Sequence, residues 1–286
     1  MVVMANKIVV MIPALNEERS IGKVIDDIPR KELMRRGFDV RVVVVDGQST
    51  DRTLAIAREK GAYILVQKGR GKGIGVRQAI ALCDPREVVP KVLALTGGLC
   101  AKFSDLASML DAKYLIMLDA DGTYPPRYIL DVVSTLEEGA DVVMGSRFLG
   151  SIADGAMTPL NHFGNILLSD IATLLYQQRC TDLCTGMWGF NGQALRTLEL
   201  SSKHFELEAE LFAESVKKGL NVKEIPIHYL PRAGETKLVP LKAGVTIVTK
   251  LFERRFWSAA GEFDVKMAKK TERAEPFSFL IPMRHI

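Results

Sequence analysis

Tyr114-Leu115-Ile116-Met117-Leu118-Asp119-Ala120-Asp121-Gly122 passes from five apolar residues straight into two carboxylates one residue apart. A short, continuous apolar run of this kind fits a strand buried on both faces, as in a mainly parallel sheet. Two aspartates at its end cannot both be buried unpaired without heavy cost. A turn there can aim both at one point, where a hard divalent cation, Mg²⁺ or Mn²⁺, would neutralise them and bridge to a diphosphate. Alone, such a pair is more often a solvated Asp-rich turn.

The neighbouring sequence repeats the pattern. On the N-terminal side, Lys7–Ile12 is a β-branched run ended by Pro13 and the polar turn Asn16-Glu17-Glu18, and Val40–Val45 is an apolar run stopping at Asp46-Gly47. Tyr63–Val66 is a third strand, and helices are expected from Ile21, through Lys60 behind Ser49-Thr50-Asp51, and over Ile74–Leu82. On the C-terminal side, Asp141–Met144 and Val222–Tyr229 read as strands and about Glu206–Lys218 as a helix. This alternation predicts an α/β fold with a Rossmann-like, mostly parallel central sheet and helices on both faces. Ligands of such sheets lie beyond the carboxyl ends of the strands, so the turn from Pro13 to Glu17, Asp46 and the Asp119/Asp121 pair point to one site. Asp46 is expected to accept hydrogen bonds from a nucleobase or ribose.

Several features fit less neatly. Phe163, Ile166, Leu167, Ile171, Leu174 and Leu175 keep helical spacing, yet Asp170 shares their face. Glu206, Glu208 and Glu210 read as a solvated helix face, and Trp188 and Phe190 as core. Residues 83–112, with Pro85, Pro90 and Gly97-Gly98, break the rhythm as an insertion. Lys68-Gly69-Arg70-Gly71-Lys72-Gly73-Ile74-Gly75 suits a phosphate through backbone N–H groups and its cations, Lys72 among them, and by itself fits a mobile basic loop equally well. It is not a dinucleotide fingerprint, because Val76 takes the third glycine position, nor a P-loop, because Gly73 follows Lys72.

Composition narrows the class. The 286 residues are 48% hydrophobic and 25% charged, with a net charge of +4, too weakly basic to suggest nucleic-acid binding. Four cysteines in this length imply no disulfide framework. No run approaches the roughly 18–20 apolar residues that span a bilayer, and no signal-peptide pattern opens the chain. A cytoplasmic protein, soluble or peripheral on the cytoplasmic face of a membrane, is expected; a homo-oligomer is compatible. Phe252, Arg254, Arg255, Phe256 and Trp257 mix cations with aromatics, as an interfacial helix does.

The ordered set Pro13-Ala14-Leu15-Asn16-Glu17-Glu18, Asp46-Gly47-Gln48-Ser49-Thr50-Asp51, Gly71-Lys72-Gly73 and Leu118-Asp119-Ala120-Asp121-Gly122 resembles the inverting family-2 glycosyltransferases of the GT-A fold. Gly145-Ser146-Arg147-Phe148, the stretch from Asp182 to Phe190, and Gly234-Glu235-Thr236-Lys237-Leu238 are similar to its dolichol-phosphate sugar synthase branch. Gly155-Ala156-Met157-Thr158-Pro159-Leu160-Asn161 is similar to an archaeal subset that charges a polyprenyl phosphate with glucose or an N-acetylhexosamine. The resemblance implies one GT-A domain over residues 1–250, with a nucleotide-sugar half (1–148) and an acceptor half (149–250), followed by a membrane-associating tail (251–286).

It further implies that Asp119 and Asp121 bind a metal–diphosphate, with Ala120 between them. Pro13, Ala14, Asn16, Glu17, Asp46 and Lys72 would hold the donor, Arg232 and Lys237 would close over the diphosphates, and Arg147 would hold the acceptor phosphate. The catalytic set is then Asp121, Arg147 and Asp182, with Asp182 the base candidate if the acceptor is a hydroxyl and His162 a second source of charge. The implied reaction moves a sugar from a nucleotide-diphosphate donor, expected to be UDP-glucose or a UDP-N-acetylhexosamine, to dolichyl or polyprenyl phosphate. Gly47 and Thr123 depart from the pattern of mannosyl enzymes, which weighs against GDP-mannose. Two alternatives remain open: transfer to a small soluble acceptor such as a phosphoglycerate, and nucleotide-sugar binding without catalysis.

Overall fold

A computed structural model of the chain describes residues 6–82, 112–234 and 240–256. Seven strands form one sheet: β1 (Asn6–Ala14), β2 (Phe38–Asp46), β3 (Tyr63–Val66), β4 (Tyr114–Leu118), β5 (Val142–Ile152), β6 (Met187–Asn191) and β7 (Val222–Tyr229). Their spatial order is β3-β2-β1-β4-β6-β5-β7. All neighbours run parallel except β6, which is antiparallel to both β4 and β5. The expected mostly parallel α/β sheet is therefore present, and Asp46 and Leu118 end adjacent blocks of it, so their loops open on the same edge.

Both faces of the sheet are covered, which is why its central strands are apolar without alternation. Ile8, Val10, Ile12, Val42, Val44 and Ile116 pack on one side with α1 (Ile21–Asp26), α2 (Arg30–Arg35), α3 (Thr53–Glu59) and α5 (Ile129–Glu137). Val9, Met11, Val43, Leu115 and Met117 pack on the other with α4 (Lys72–Leu82), α6 (Pro159–Tyr176), α8 (Leu207–Lys217) and α9 (Pro240–Phe256). The short α7 (Gly192–Leu195) follows β6.

Strand β6 escapes periodicity because its five residues hold a glycine at the centre. A Cβ on Gly189 would come 2.2 Å from Val132 Cγ1, so α5 lies directly on the strand there. Strand β5 continues eight residues past the expected Met144; the register against β7 shifts between Ser146 and Ser151. Trp188 and Phe190 are buried and stacked, as core residues. Among the described residues no helix is long and apolar enough to cross a membrane. The chain divides into two units, Met1–Arg255 and Phe256–Ile286. Most of the insertion (83–111), Lys237 and the tail beyond Phe256 lie outside the described residues.

Candidate active site

The ends of β1 and β2 are tied before any ligand arrives. The Gly47 amide donates to the Ala14 carbonyl (2.8 Å), the Asn16 amide to Ser49 Oγ (2.9 Å) and the Thr50 amide to Asn16 Oδ1 (2.8 Å). Asp46 is fully buried, and its carboxylate accepts from the amides of Gln48 and Ser49. Asp46 braces the turn that holds Gln48 at φ 71° and turns Gly47 and Gln48 toward the cavity. Asn16, likewise, knits the two turns together and is not among the residues lining the cavity.

At the end of β4 the two aspartates differ. Asp121 is 3% exposed; one carboxylate oxygen accepts from the Thr123 amide (3.0 Å) and hydroxyl (2.6 Å), the other from Arg232 (2.5 Å). Arg232 also reaches toward Glu17 (3.9 Å). Asp119 Oδ1 accepts from Lys72 Nζ (2.6 Å), which is shared with Glu208 Oε1 (2.7 Å). Burial works against the charge on Lys72, but Asp119 and Glu208 outweigh it and hold its pKa above the ordinary lysine value. Burial pushes the Glu208 carboxyl up, against the pull of Lys72.

Glu208 was missed by the sequence reading, and the acidic triplet corrects the expected solvated face. Glu206 accepts from the amides of Lys203 and His204 ahead of α8, Glu208 faces Lys72, and the buried Glu210 takes Ser201, Ser202 and Arg254. Alternate residues on a helix lie about 200° apart, so Glu208 had to point away from its two neighbours. That divergence was the available signal.

Arg147, on β5, is 6% exposed and paired with the fully buried Asp182: Nε and Nη2 donate to its two oxygens at 2.7 and 2.6 Å, and the Arg147 amide adds a third bond at 2.9 Å. The guanidinium also lies over the Tyr229 ring and donates to Asn165 Oδ1 (3.3 Å). Burial opposes its charge, yet Asp182 keeps its pKa well above the usual arginine value. Both oxygens of Asp182 are thus engaged by Arg147, and Asp182 is not among the residues lining the cavity. His162 is exposed, packs edge-on against Phe148 and is absent from the cavity lining.

A cavity of about 1110 Å³ collects most of the expected residues. Pro13, Ala14, Glu17, Lys72, Asp119, Ala120, Asp121, Arg147 and Arg232 all line it, as do the unforeseen Glu208, Gln48, Gln67, Tyr124 and Tyr229. Beyond Arg147 the lining changes character: Leu160, Leu167, Leu168 and Ile171 of α6 face Val245, Ile247 and Val248 of α9. The cavity thus has an ionic end and an apolar end.

Asp119 and Asp121 suit a hard divalent ion in kind, since both offer carboxylate oxygens at the cavity wall. Among the described residues no group of three or more His, Cys, Asp or Glu could hold a metal. Two carboxylates with the rest supplied by phosphate and water is the way Mg²⁺ is usually held. Gly186 leaves room beside them, because a Cβ there would lie 2.1 Å from Asp119 Oδ2.

Residues 9–89 and 90–198 match glycosyl transferase family 2. The chain is 35% identical over 240 residues to the dolichyl-phosphate hexose transferase of Haloferax volcanii, covering 83% of this chain and 89% of that one. It is 32% identical over 247 residues to glycosyltransferase AglJ of the same organism, covering 86% and 71%. Among solved structures, glucosyl-3-phosphoglycerate synthase from Mycobacterium tuberculosis with Mn²⁺, UDP and phosphoglyceric acid superposes with a TM-score of 0.61 at 20% identity, over 90% of this chain and 81% of that one. That likeness is one of fold.

Proposed function

The chain belongs to glycosyl transferase family 2 and is a glycosyltransferase; on that premise we propose that it moves a sugar from a UDP-sugar to a polyprenyl (dolichyl) phosphate, with inversion. The observation that carries this reading is the two-ended cavity. A phosphate joined to a long hydrocarbon chain matches an ionic pocket at Arg147 that opens into the apolar walls of α6 and α9. A small, wholly polar acceptor such as phosphoglycerate would leave those walls without a partner. The relatives agree in chemistry: one is named for dolichyl phosphate and hexose, and another, from Methanococcus voltae, for UDP-N-acetylglucosamine and dolichyl phosphate.

In this reading Asp119 and Asp121 hold the divalent ion, Mg²⁺ or Mn²⁺, which supplies charge neutralisation to the diphosphate leaving group. Lys72 and Arg232, now resting on those carboxylates, turn to the diphosphate oxygens, and Gly47, Gln48 and Gln67 border the nucleoside. Arg147, held rigid by Asp182 and Tyr229, fixes the acceptor phosphate. An oxygen of that phosphate attacks the anomeric carbon, the bond from that carbon to the nucleoside diphosphate breaks, and the diphosphate departs with the electron pair. A phosphate monoester has a second pKa of about 6 and is already a dianion near neutral pH, so no general base is required. The geometry agrees, because Asp182 is fully engaged by Arg147. Work at an anionic lipid acceptor also calls for peripheral contact with a membrane.

The test is incubation with a panel of labelled nucleotide sugars and Mg²⁺ or Mn²⁺, offering polyprenyl phosphate or phosphoglycerate in parallel. Label extracted into organic solvent supports the proposal. Label appearing only in a water-soluble phosphoglycerate product overturns the acceptor assignment.

A further inference from the structure

We infer that the outward face of α6, with the adjoining edge of α9, is a bilayer-docking surface that sets the cavity mouth against lipid headgroups. The inference rests on the lipid-acceptor reading and adds where the membrane is met. Helix α6 packs into the core through Ser169, Ala172 and Tyr176. Its opposite side carries Leu160 (70% exposed), Phe163 (65%), Leu167 (49%) and Leu174 (72%). At about 100° per residue these four fall within roughly 60° of arc and make one stripe. Contiguous exposed apolar surface of this kind marks an interaction site.

The stripe also accounts for Asp170. The sequence places this carboxylate among apolar residues of one helix face, and the structure puts that face outside, where Asp170 keeps its water. On α9, Val245 and Phe252 are exposed as well.

Two observations point to a bilayer as the occupant. Leu160, Leu167 and Val245 belong both to the exposed stripe and to the cavity lining, so the outer apolar surface runs without a break into the wall that would take a hydrocarbon chain. Exposed Arg179 follows the end of α6, and exposed Arg255 near the end of α9 donates to the Leu175 carbonyl (2.9 Å). Guanidinium groups at the rim of an apolar stripe suit anionic headgroups.

The test is co-sedimentation of the full chain with phosphatidylcholine vesicles containing a minority of phosphatidylglycerol and no polyprenyl phosphate. The wild type should pellet. The double variant Phe163→Ser/Leu174→Ser, which alters neither the cavity lining nor the core, should lose partitioning by about tenfold or more while keeping its melting temperature. Asp170→Asn removes the one charge from the stripe and should raise partitioning. A wild type that stays in the supernatant, or a well-folded double variant that pellets like wild type, overturns the inference. So does a wild-type dimer that the double variant converts to monomer without any vesicle binding, which assigns the face to a second copy of the chain. Pelleting that follows the expected order, with no lipid product from any donor, leaves the docking surface standing and removes the acceptor reading.

Discussion

Replacing Asp182 by asparagine should be among the most damaging single changes available to this molecule. Asp182 is fully buried, and both its oxygens accept from Arg147, itself 6% exposed. The change preserves volume but leaves a buried guanidinium facing a neutral amide. Removing one partner of a buried ion pair costs about 3–5 kcal/mol, because the other charge stays uncompensated. For a domain of this size that corresponds to a fall in melting temperature of roughly 6–20 °C. Replacing both partners with uncharged groups removes the stranded charge, so Arg147→Met/Asp182→Asn should be less destabilised than the sum of its single variants. Urea unfolding of the two singles and the double, followed by circular dichroism, gives the cycle. A loss below about 1 kcal/mol for Asp182→Asn, or strict additivity in the double, would refute the claim that this pair is held as a desolvated unit. If Asp182 were instead a general base, Asp182→Asn would abolish turnover while stability hardly changed.

Three further outcomes follow from the site. Gly186→Ala places a Cβ 2.1 Å from Asp119 Oδ2 and 2.8 Å from Tyr124 Cε2, so the carboxylate must move; transfer should fall about a hundredfold, equivalent to about 2.7 kcal/mol of transition-state binding, in a protein that still folds, and unchanged kinetics would remove Asp119 from the centre. Asp119→Ala should keep the fold, since Lys72 retains Glu208 as a partner, and should abolish metal-dependent transfer; retained turnover defeats the assignment. Burial pushes the Glu210 carboxyl up, but bonds from Ser202 and Ser201 and the charge of Arg254 outweigh it and hold its pKa below the ordinary value. Its contribution to stability is therefore present above about pH 4.5 and lost as pH falls through the lower folded-state pKa. Urea midpoints should drop over that acid window in the wild type and drop less in Glu210→Gln; an identical pH slope in both would exclude Glu210 as the source.

Much of this was legible in sequence because the parallel strands are buried on both faces. β3, β4 and β7 begin and end where the sequence placed them, and Glu17 after β1 and Asp119 and Asp121 after β4 line one cavity. What failed has physical causes. β6 is too short and too glycine-interrupted to show a period, although Gly189 is demanded by Val132. The bonds of Asp46 to backbone amides and of Asp182 to a guanidinium were not visible beforehand, because a carboxylate in sequence looks the same whatever its oxygens meet. Glu208 read as solvated because charge alone does not reveal a helix enclosed on every side. The stripe on α6 showed helical spacing without showing which side faced outward; Asp170 was the clue, since an unpaired carboxylate belongs at water.

The central claim is that one cavity joins a nucleotide-sugar centre to a wall built for hydrocarbon. It is tested most directly by kcat/KM for acceptor phosphates bearing successively longer isoprenoid chains, with donor and metal fixed. Each buried methylene contributes about 0.8 kcal/mol, so kcat/KM should climb by at least about tenfold over the first few isoprene units and level off once the walls of α6 and α9 are covered. A rate independent of chain length, or a preference for a phosphate with no chain at all, would contradict the account.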